Sequence, residues 1–260
     1  MNLFLKHYFK LQKNNYNIIS MCSVSKYKVK WHIDENFIKD IKMSLKHDRD
    51  EKAGVLLFTD INCKDGICDK KSTEYKLSNG DGSSVYTPNG IINFHTHPKS
   101  AYMSENAVFG WPSGEDMAVC IELAKKDNLI HIVFTLEGAY IIKVNKILNT
   151  KDSKILEELL KDTHIFRSSN QATQLKNFRK IFGIAGTKTE DVWLSLVNSL
   201  TLNKLYILYN LINAKNLKAP NNNEQIFEVK LVPINKTLIF EANYIEENCH
   251  RMNFKHGSKF

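Results

Sequence analysis

Between residues 26 and 146 the apolar positions change period several times, and each change predicts an element. Tyr27, Val29 and Trp31 alternate with lysines, the period of two expected of a half-buried strand over Lys26 to Ile33. Phe37, Ile38, Ile41 and Leu45 then recur at helical spacing across Asn36 to Lys46. Ala53 to Phe58 is a continuous apolar run and predicts a buried strand. Ser72 to Leu77 and Ser83 to Thr87 predict shorter exposed strands, with the turn signal Asn79-Gly80-Asp81-Gly82 between them. The apolar run Gly90 to Phe94 predicts a further strand that ends in His95-Thr96-His97-Pro98. Ser113 opens a helix with Met117, Cys120, Ile121 and Ala124 along one face. Leu129 to Thr135 and Ala139 to Val144 then form two apolar strands that meet at Glu137-Gly138. Residues 25 to 146 thus read as one α/β unit.

Past a soft boundary near residue 150 the texture changes. Ile155 to Leu160 and Gln171 to Phe182 predict helices, and Thr187 to Glu190 is a capping box opening a long apolar-striped helix through Ile212. Asn213 to Glu224, with Pro220 and three consecutive asparagines, reads as a loop. Ile226 to Val232 and Thr237 to Tyr244 are strand-like. The expected organisation is an extension over 1–24, an α/β domain over 25–150, and a mainly helical region over 151–260 closed by a strand pair.

Composition narrows the classes. A chain of 260 residues buries a core without disulfides or a structural metal, so fold stability gives no reason for a metal site. The apolar share of 43% is that of a globular protein, and no stretch approaches the ~20 apolar residues that span a bilayer. The net charge of +8 points toward nucleic acid only weakly. Of 36 basic residues only Arg49, Arg167, Arg179 and Arg251 are arginines, and the lysines are scattered rather than gathered in a stripe. Five cysteines form no Cys-x-x-Cys pair and leave one over, which argues against a disulfide framework and for a reducing, intracellular compartment. Cys63 and Cys68, loosely spaced and without a matching second pair, read as free loop thiols. The acid-free first thirty residues lack arginine, and Lys6 cuts short the apolar core a signal peptide needs; Met21 is an alternative start.

The chemistry gathers around His95 and His97. On an extended strand, residues two apart point the same way, so both imidazoles can face one metal ion, and Asp116 is the nearest good third ligand. Two histidines and a carboxylate are a known hydrolytic zinc set that keeps a fourth position for water. A plainer reading exists for each piece. A Ser113 N-cap with Glu115 and Asp116 in the first turn suits any helix, and Glu51 alone is an ordinary surface charge.

The order Glu51-x-x-Gly54, His95-x-His97-Pro98, Ser113-x-x-Asp116 resembles the JAMM motif of MPN (JAB) domain metalloproteases. The resemblance covers about residues 25 to 146. It implies an α/β, MPN-like domain with a mixed sheet flanked by helices. His95, His97 and Asp116 would hold one zinc ion, Glu51 would act as the base, and Ser113 would help hold the oxyanion. Cleavage would fall on the isopeptide bond between the tail of ubiquitin, or a ubiquitin-like modifier, and a lysine amine. Residues 98 to 112 insert a longer segment than the family's usual gap, and that segment is similar to JAB-like proteins of large DNA viruses, which would place the protein in host cytoplasm. Tyr102 and Trp111 in this loop are candidates for contacting an extended substrate tail; Trp111 and Pro112 packing the helix entrance is the alternative. Of the rivals, a metal-dependent hydrolase barrel would need more βα units and offers only His131 as a further ligand, and a zinc deaminase would need His-x-Glu and Pro-Cys-x-x-Cys, which are absent. The serious alternative is a non-catalytic MPN-type scaffold that assembles partners through residues 151–213. Scaffold members generally lose metal ligands, whereas here every expected position is filled.

Overall fold

A computed structural model describes residues 19–64, 67–80, 85–104, 110–161, 189–234 and 238–252. The expected helix Gln171 to Phe182, Thr187 of the capping box, Phe109 and most of the 1–24 extension lie outside them. The chain divides into two compact units: Met1–His32 with Thr59–Lys71 and Ile239–Phe260, and Ile33–Phe58 with Ser72–Leu238.

In the first unit, β1 (Ile19–Ile33) runs parallel to β3 (Ile67–Asn79), with Lys28 opposite Ile67 and His32 opposite Lys71. The expected alternation is present along β1, where Val29 and Trp31 are buried and Lys30 is exposed. Cys63 and Cys68 are not in a loop. β2 (Lys52–Lys64) runs on past the apolar Ala53 to Phe58, and both cysteines fall within β2 and β3.

The second unit is mixed α/β around a mixed sheet. Its strand order is β7 (Phe227–Val232), β6 (Ala139–Val144), β5 (Ile130–Phe134), β4 (Ile92–Thr96), β2, β3. β4 pairs antiparallel with β2, Ala53 opposite His95, and parallel with β5, Asn93 opposite His131. β5 pairs antiparallel with β6, and β6 with β7. Every residue of β4 and β5 is buried, as befits strands covered on both faces.

The two faces carry different helices. Side chains alternate along β4 and β5, so Phe94 and Phe134 share one face, where Phe37 of α1 (Glu35–His47) meets them edge-on at 5.0 and 5.8 Å between ring centroids. α1 forms because Asp34 caps it, accepting from the Asn36 and Phe37 amides, and because its apolar residues fall on one stripe. The opposite face packs against α3 (Gly114–Ala124) and α5 (Thr189–Ser199), while α4 (Thr150–Lys161) packs on α3 and α6 (Leu202–Asn213) on α4. Met117, Ile121, Val133, Tyr140, Leu156, Trp193 and Leu205 belong to one buried cluster there.

Three expectations change, and the inserted segment gains an element. The long helix to Ile212 is two helices: Thr201 accepts from the Lys204 amide as the N-cap of α6, and the Leu200 carbonyl accepts from the Ile226 amide instead of continuing a helical ladder. Ser83 to Thr87 is no strand over its described part, residues 85–87. The inserted segment contains a short helix, α2 (Lys99–Ser104). The last two strands do not pair with each other: β7 joins the sheet beside β6, and β8 (Leu238–Met252) is longer than Thr237 to Tyr244. No helix among the described residues is long and apolar enough to cross a membrane.

Candidate metal centre

His95 ends β4, His97 follows it, and Asp116 sits in the first turn of α3. The strand places both imidazoles on the α3 side of the sheet, and the helix start brings the carboxylate to them. The His95 and His97 Nε2 atoms are 3.0 Å apart. Asp116 Oδ1 lies 3.2 Å from His95 Nε2, and its Oδ2 lies 3.5 Å from His97 Nε2. Four ligands at the usual zinc bond lengths of about 2.0–2.1 Å form a tetrahedron with edges of about 3.3 Å. The three side chains therefore have the spacing of a zinc site, and they are the metal-competent group among the described residues.

The hydrogen bonds around the imidazoles fix where their lone pairs point. His97 Nδ1 is 2.8 Å from the Gly110 carbonyl, which only accepts, so Nδ1 carries the hydrogen and Nε2 the lone pair. For His95 the chain is longer. Asn93 Nδ2 donates to the Pro88 carbonyl at 3.1 Å, which turns Asn93 Oδ1 toward His131 Nδ1 at 2.6 Å. His131 Nδ1 therefore donates, and its Nε2 accepts from His95 Nδ1 at 2.7 Å. His95 Nε2 is thus also a bare lone pair. Two lone pairs and a carboxylate converge with no hydrogen of their own to place between them, an arrangement that repels unless a cation or a proton sits among them.

The electrostatics agree. Burial penalises a charged His97, yet its hydrogen bond to Asp116, the Asp116 and Glu51 charges and the Gly110 carbonyl together raise its pKa to about 9. Burial pushes the Asp116 carboxyl up, but His95 and His97 outweigh it and hold it well below the usual range. His131 is driven down, first by burial and then by the neighbouring His95, and stays neutral.

Ser113 is both a cap and a neighbour of the site. Its Oγ accepts from the Asp116 amide at 3.1 Å, and its own amide donates to Asp116 Oδ2 at 2.6 Å. The plain capping reading and the ligand reading are therefore compatible, since the cap pins the carboxylate that faces the histidines. Glu51 Oε1 stands 3.9 Å from His97 Nε2, beside the ligand triangle rather than in it. Glu51 is held by its backbone: its carbonyl accepts from the Gly80 amide, and the next amide, Lys52, donates to Thr96 Oγ1 at 2.9 Å.

The loop residues play other parts. Tyr102 donates its hydroxyl hydrogen to Glu137 Oε2 at 2.5 Å, and its oxygen accepts from the Leu136 amide. Glu137 Oε1 also accepts from the Gly110 amide, so this carboxylate ties the loop to the β5–β6 turn and steadies the carbonyl that His97 uses. A Cβ on Gly110 would lie 2.1 Å from the Tyr102 hydroxyl, so the close approach requires glycine. Trp111 is buried and stacks on Trp193 of α5 at 6.0 Å, with ring planes 5° apart. Sequence reasoning passed over Asn93, Gly110 and Glu137, and weighed His131 only as a ligand of a different fold. The available signal was a pair of polar residues, Asn93 and His131, each alone inside an apolar strand run.

No family model matches the sequence, and no solved structure matches it. Among curated proteins it is similar to the one described as "Uncharacterized protein 3R" of Frog virus 3 (isolate Goorha), at 32% identity over 115 residues. That match covers 44% of this chain and 24% of the viral protein, so the chain spans about a quarter of the length of the relative it matches.

Proposed function

We propose that the chain is a zinc-dependent isopeptidase of the JAMM type on an MPN-like fold, hydrolysing the bond between the C-terminus of ubiquitin or a ubiquitin-like modifier and a lysine amine. The observation that carries the reading is the convergence of two Nε2 lone pairs and the Asp116 carboxylate at zinc-like spacing, with Glu51 alongside. The modifier as substrate rests on the motif resemblance alone.

His95, His97 and Asp116 would hold the zinc. When bound, zinc polarises a carbonyl and lowers the pKa of a water molecule to about 7. Glu51 accepts the proton of the attacking water and passes it to the leaving lysine nitrogen as the C–N bond breaks. The Ser113 hydroxyl, on the exposed start of α3, donates toward the oxygen on which negative charge develops. Glu137, hydrogen-bonded to Tyr102 and to the Gly110 amide, keeps the Gly110 carbonyl at His97 Nδ1.

Metal content and cleavage test this together. The purified protein is expected to carry about one zinc per chain, and His97→Ala to lose it. Glu51→Ala is expected to keep the zinc while cleavage of a ubiquitin conjugate falls by ~10²–10⁴-fold. A zinc-free wild type would favour the scaffold reading, and full activity in Glu51→Ala would remove that residue from the mechanism.

A further inference from the structure

Behind the ligand triangle lies a hydrogen-bonded file of buried polar side chains that the proposed hydrolysis does not use. It runs from the Pro88 carbonyl through Asn93 and His131 to His95 Nδ1. Asn93 and His131 are at most 1% exposed and sit opposite each other in the parallel pairing of β4 and β5. An asparagine and a histidine in fully buried central strands cost stability unless every polar atom is satisfied. Packing alone would be served better by apolar residues, such as the Ile92 that precedes Asn93 and the Ile132 that follows His131 on the opposite face.

We propose that Asn93 and His131 are positioning residues that hold His95 in its Nδ1–H form, with Nε2 presented bare to the metal. The inference rests on the zinc reading of the site. Each link has one permitted direction. A carbonyl only accepts, so the Asn93 amide has its nitrogen toward Pro88 and its oxygen toward His131. That oxygen takes the hydrogen of His131 Nδ1, which leaves His131 Nε2 to accept from His95. With His131 replaced by an apolar residue, His95 Nδ1–H would be buried without an acceptor, and the hydrogen would move to the nitrogen that should bind metal. His131 is a neutral acceptor, unlike the carboxylate that often stands behind a metal-bound histidine, so it orients the ring without adding charge. The second ligand has a separate device, Gly110 held by Glu137, so the two imidazoles can be perturbed independently.

The experiment uses the full-length protein, zinc competition against a chromogenic chelator, and long-range proton–nitrogen spectra of the histidine rings under chelator. Asn93→Leu and His131→Leu are each expected to weaken zinc binding by ~10–100-fold, the double variant no more than the weaker-binding single one, and His131→Gln, which offers an amide oxygen in place of Nε2, by much less. The wild-type spectrum is expected to show His95 protonated at Nδ1 and His131 protonated at Nδ1. Zinc binding in folded His131→Leu equal to wild type would overturn the proposal, as would a wild-type His95 carrying its hydrogen on Nε2. If His131→Leu does not fold, Asn93→Leu and His131→Gln decide by the same comparison. A wild type that binds no zinc would sink the hydrolase reading, and the ring spectra would then decide the His95 assignment alone.

Discussion

A buried imidazole has one lone pair to offer, and what touches its other nitrogen decides which atom offers it. That is why the legible part of this site is its candidate ligands and not their supports. His95 and His97 declare themselves by spacing, and Asp116 by its place three residues after a helix cap. Asn93, His131 and Gly110 matter through strand register and loop closure, which no local window contains. Charge at this scale gives a prediction. His97 has a folded pKa of about 9 against 6.5 for the free side chain. Its protonation therefore stabilises the metal-free fold fully below pH 6.5, and that contribution disappears as pH rises through about 9. Under chelator, the stability advantage of wild type over His97→Ala is expected to shrink across this window. With zinc on Nε2 in place of the proton, the loss should be smaller. Denaturant midpoints for both proteins across the window check it, and a constant difference under chelator would show that His97 does not hold that proton.

The elements explain how a single residue serves twice. The capping box that starts α3 satisfies two amides and aims the Asp116 carboxylate, so helix formation and site formation are one event. Substitutions at Ser113 can part its two roles. Replacing an N-cap serine by alanine costs about 1 kcal/mol, whereas glycine costs only a few tenths. Ser113→Gly is therefore expected to melt near wild type and Ser113→Ala below it, while both lose cleavage to a similar degree, because both lack the hydroxyl. The amide that donates to Asp116 Oδ2 remains in each. Cleavage that follows the cap, falling in the alanine variant and surviving in the glycine one, would leave the hydroxyl without a role toward substrate. At this scale much of the sequence pattern carried through: α1, β5 and β6 lie within a residue or two of their periodic runs. The pattern failed where a tertiary partner intervened. The apolar stripe from Trp193 to Ile212 is continuous in sequence, yet the Ile226 amide, just before β7, takes the Leu200 carbonyl and Thr201 caps a new helix.

For the molecule as a whole, the change of texture at residue 150 suggested a change of body, because helices following strands look like a new domain in one dimension. Within the unit that holds the site, the core is continuous across that point. Trp111, which follows the Gly110 whose carbonyl meets His97, stacks on Trp193 of α5, and Tyr140 of β6 meets Trp193 edge-on at 5.5 Å. Tyr206 of α6 donates to Asp152 of α4 at 2.7 Å, and β7 extends the sheet beyond β6. Of the described helices after 150, α4 packs directly on the helix that carries Asp116, α5 packs on β7 and α6 on α4, and their buried apolar residues share one cluster with Met117 and Ile121. Removing Trp193 should therefore be felt at the metal. Trp→Ala in a core costs about 3–5 kcal/mol, a large part of the 5–15 kcal/mol by which domains are stable. Trp193→Ala is expected to lower the denaturant midpoint without changing the slope, and zinc release, followed by a chelator dye, should coincide with the unfolding seen by fluorescence in both wild type and variant. Two separated transitions, with zinc held through the first, would mean that α4 to α6 unfold as a body of their own and that the boundary near 150 is physical.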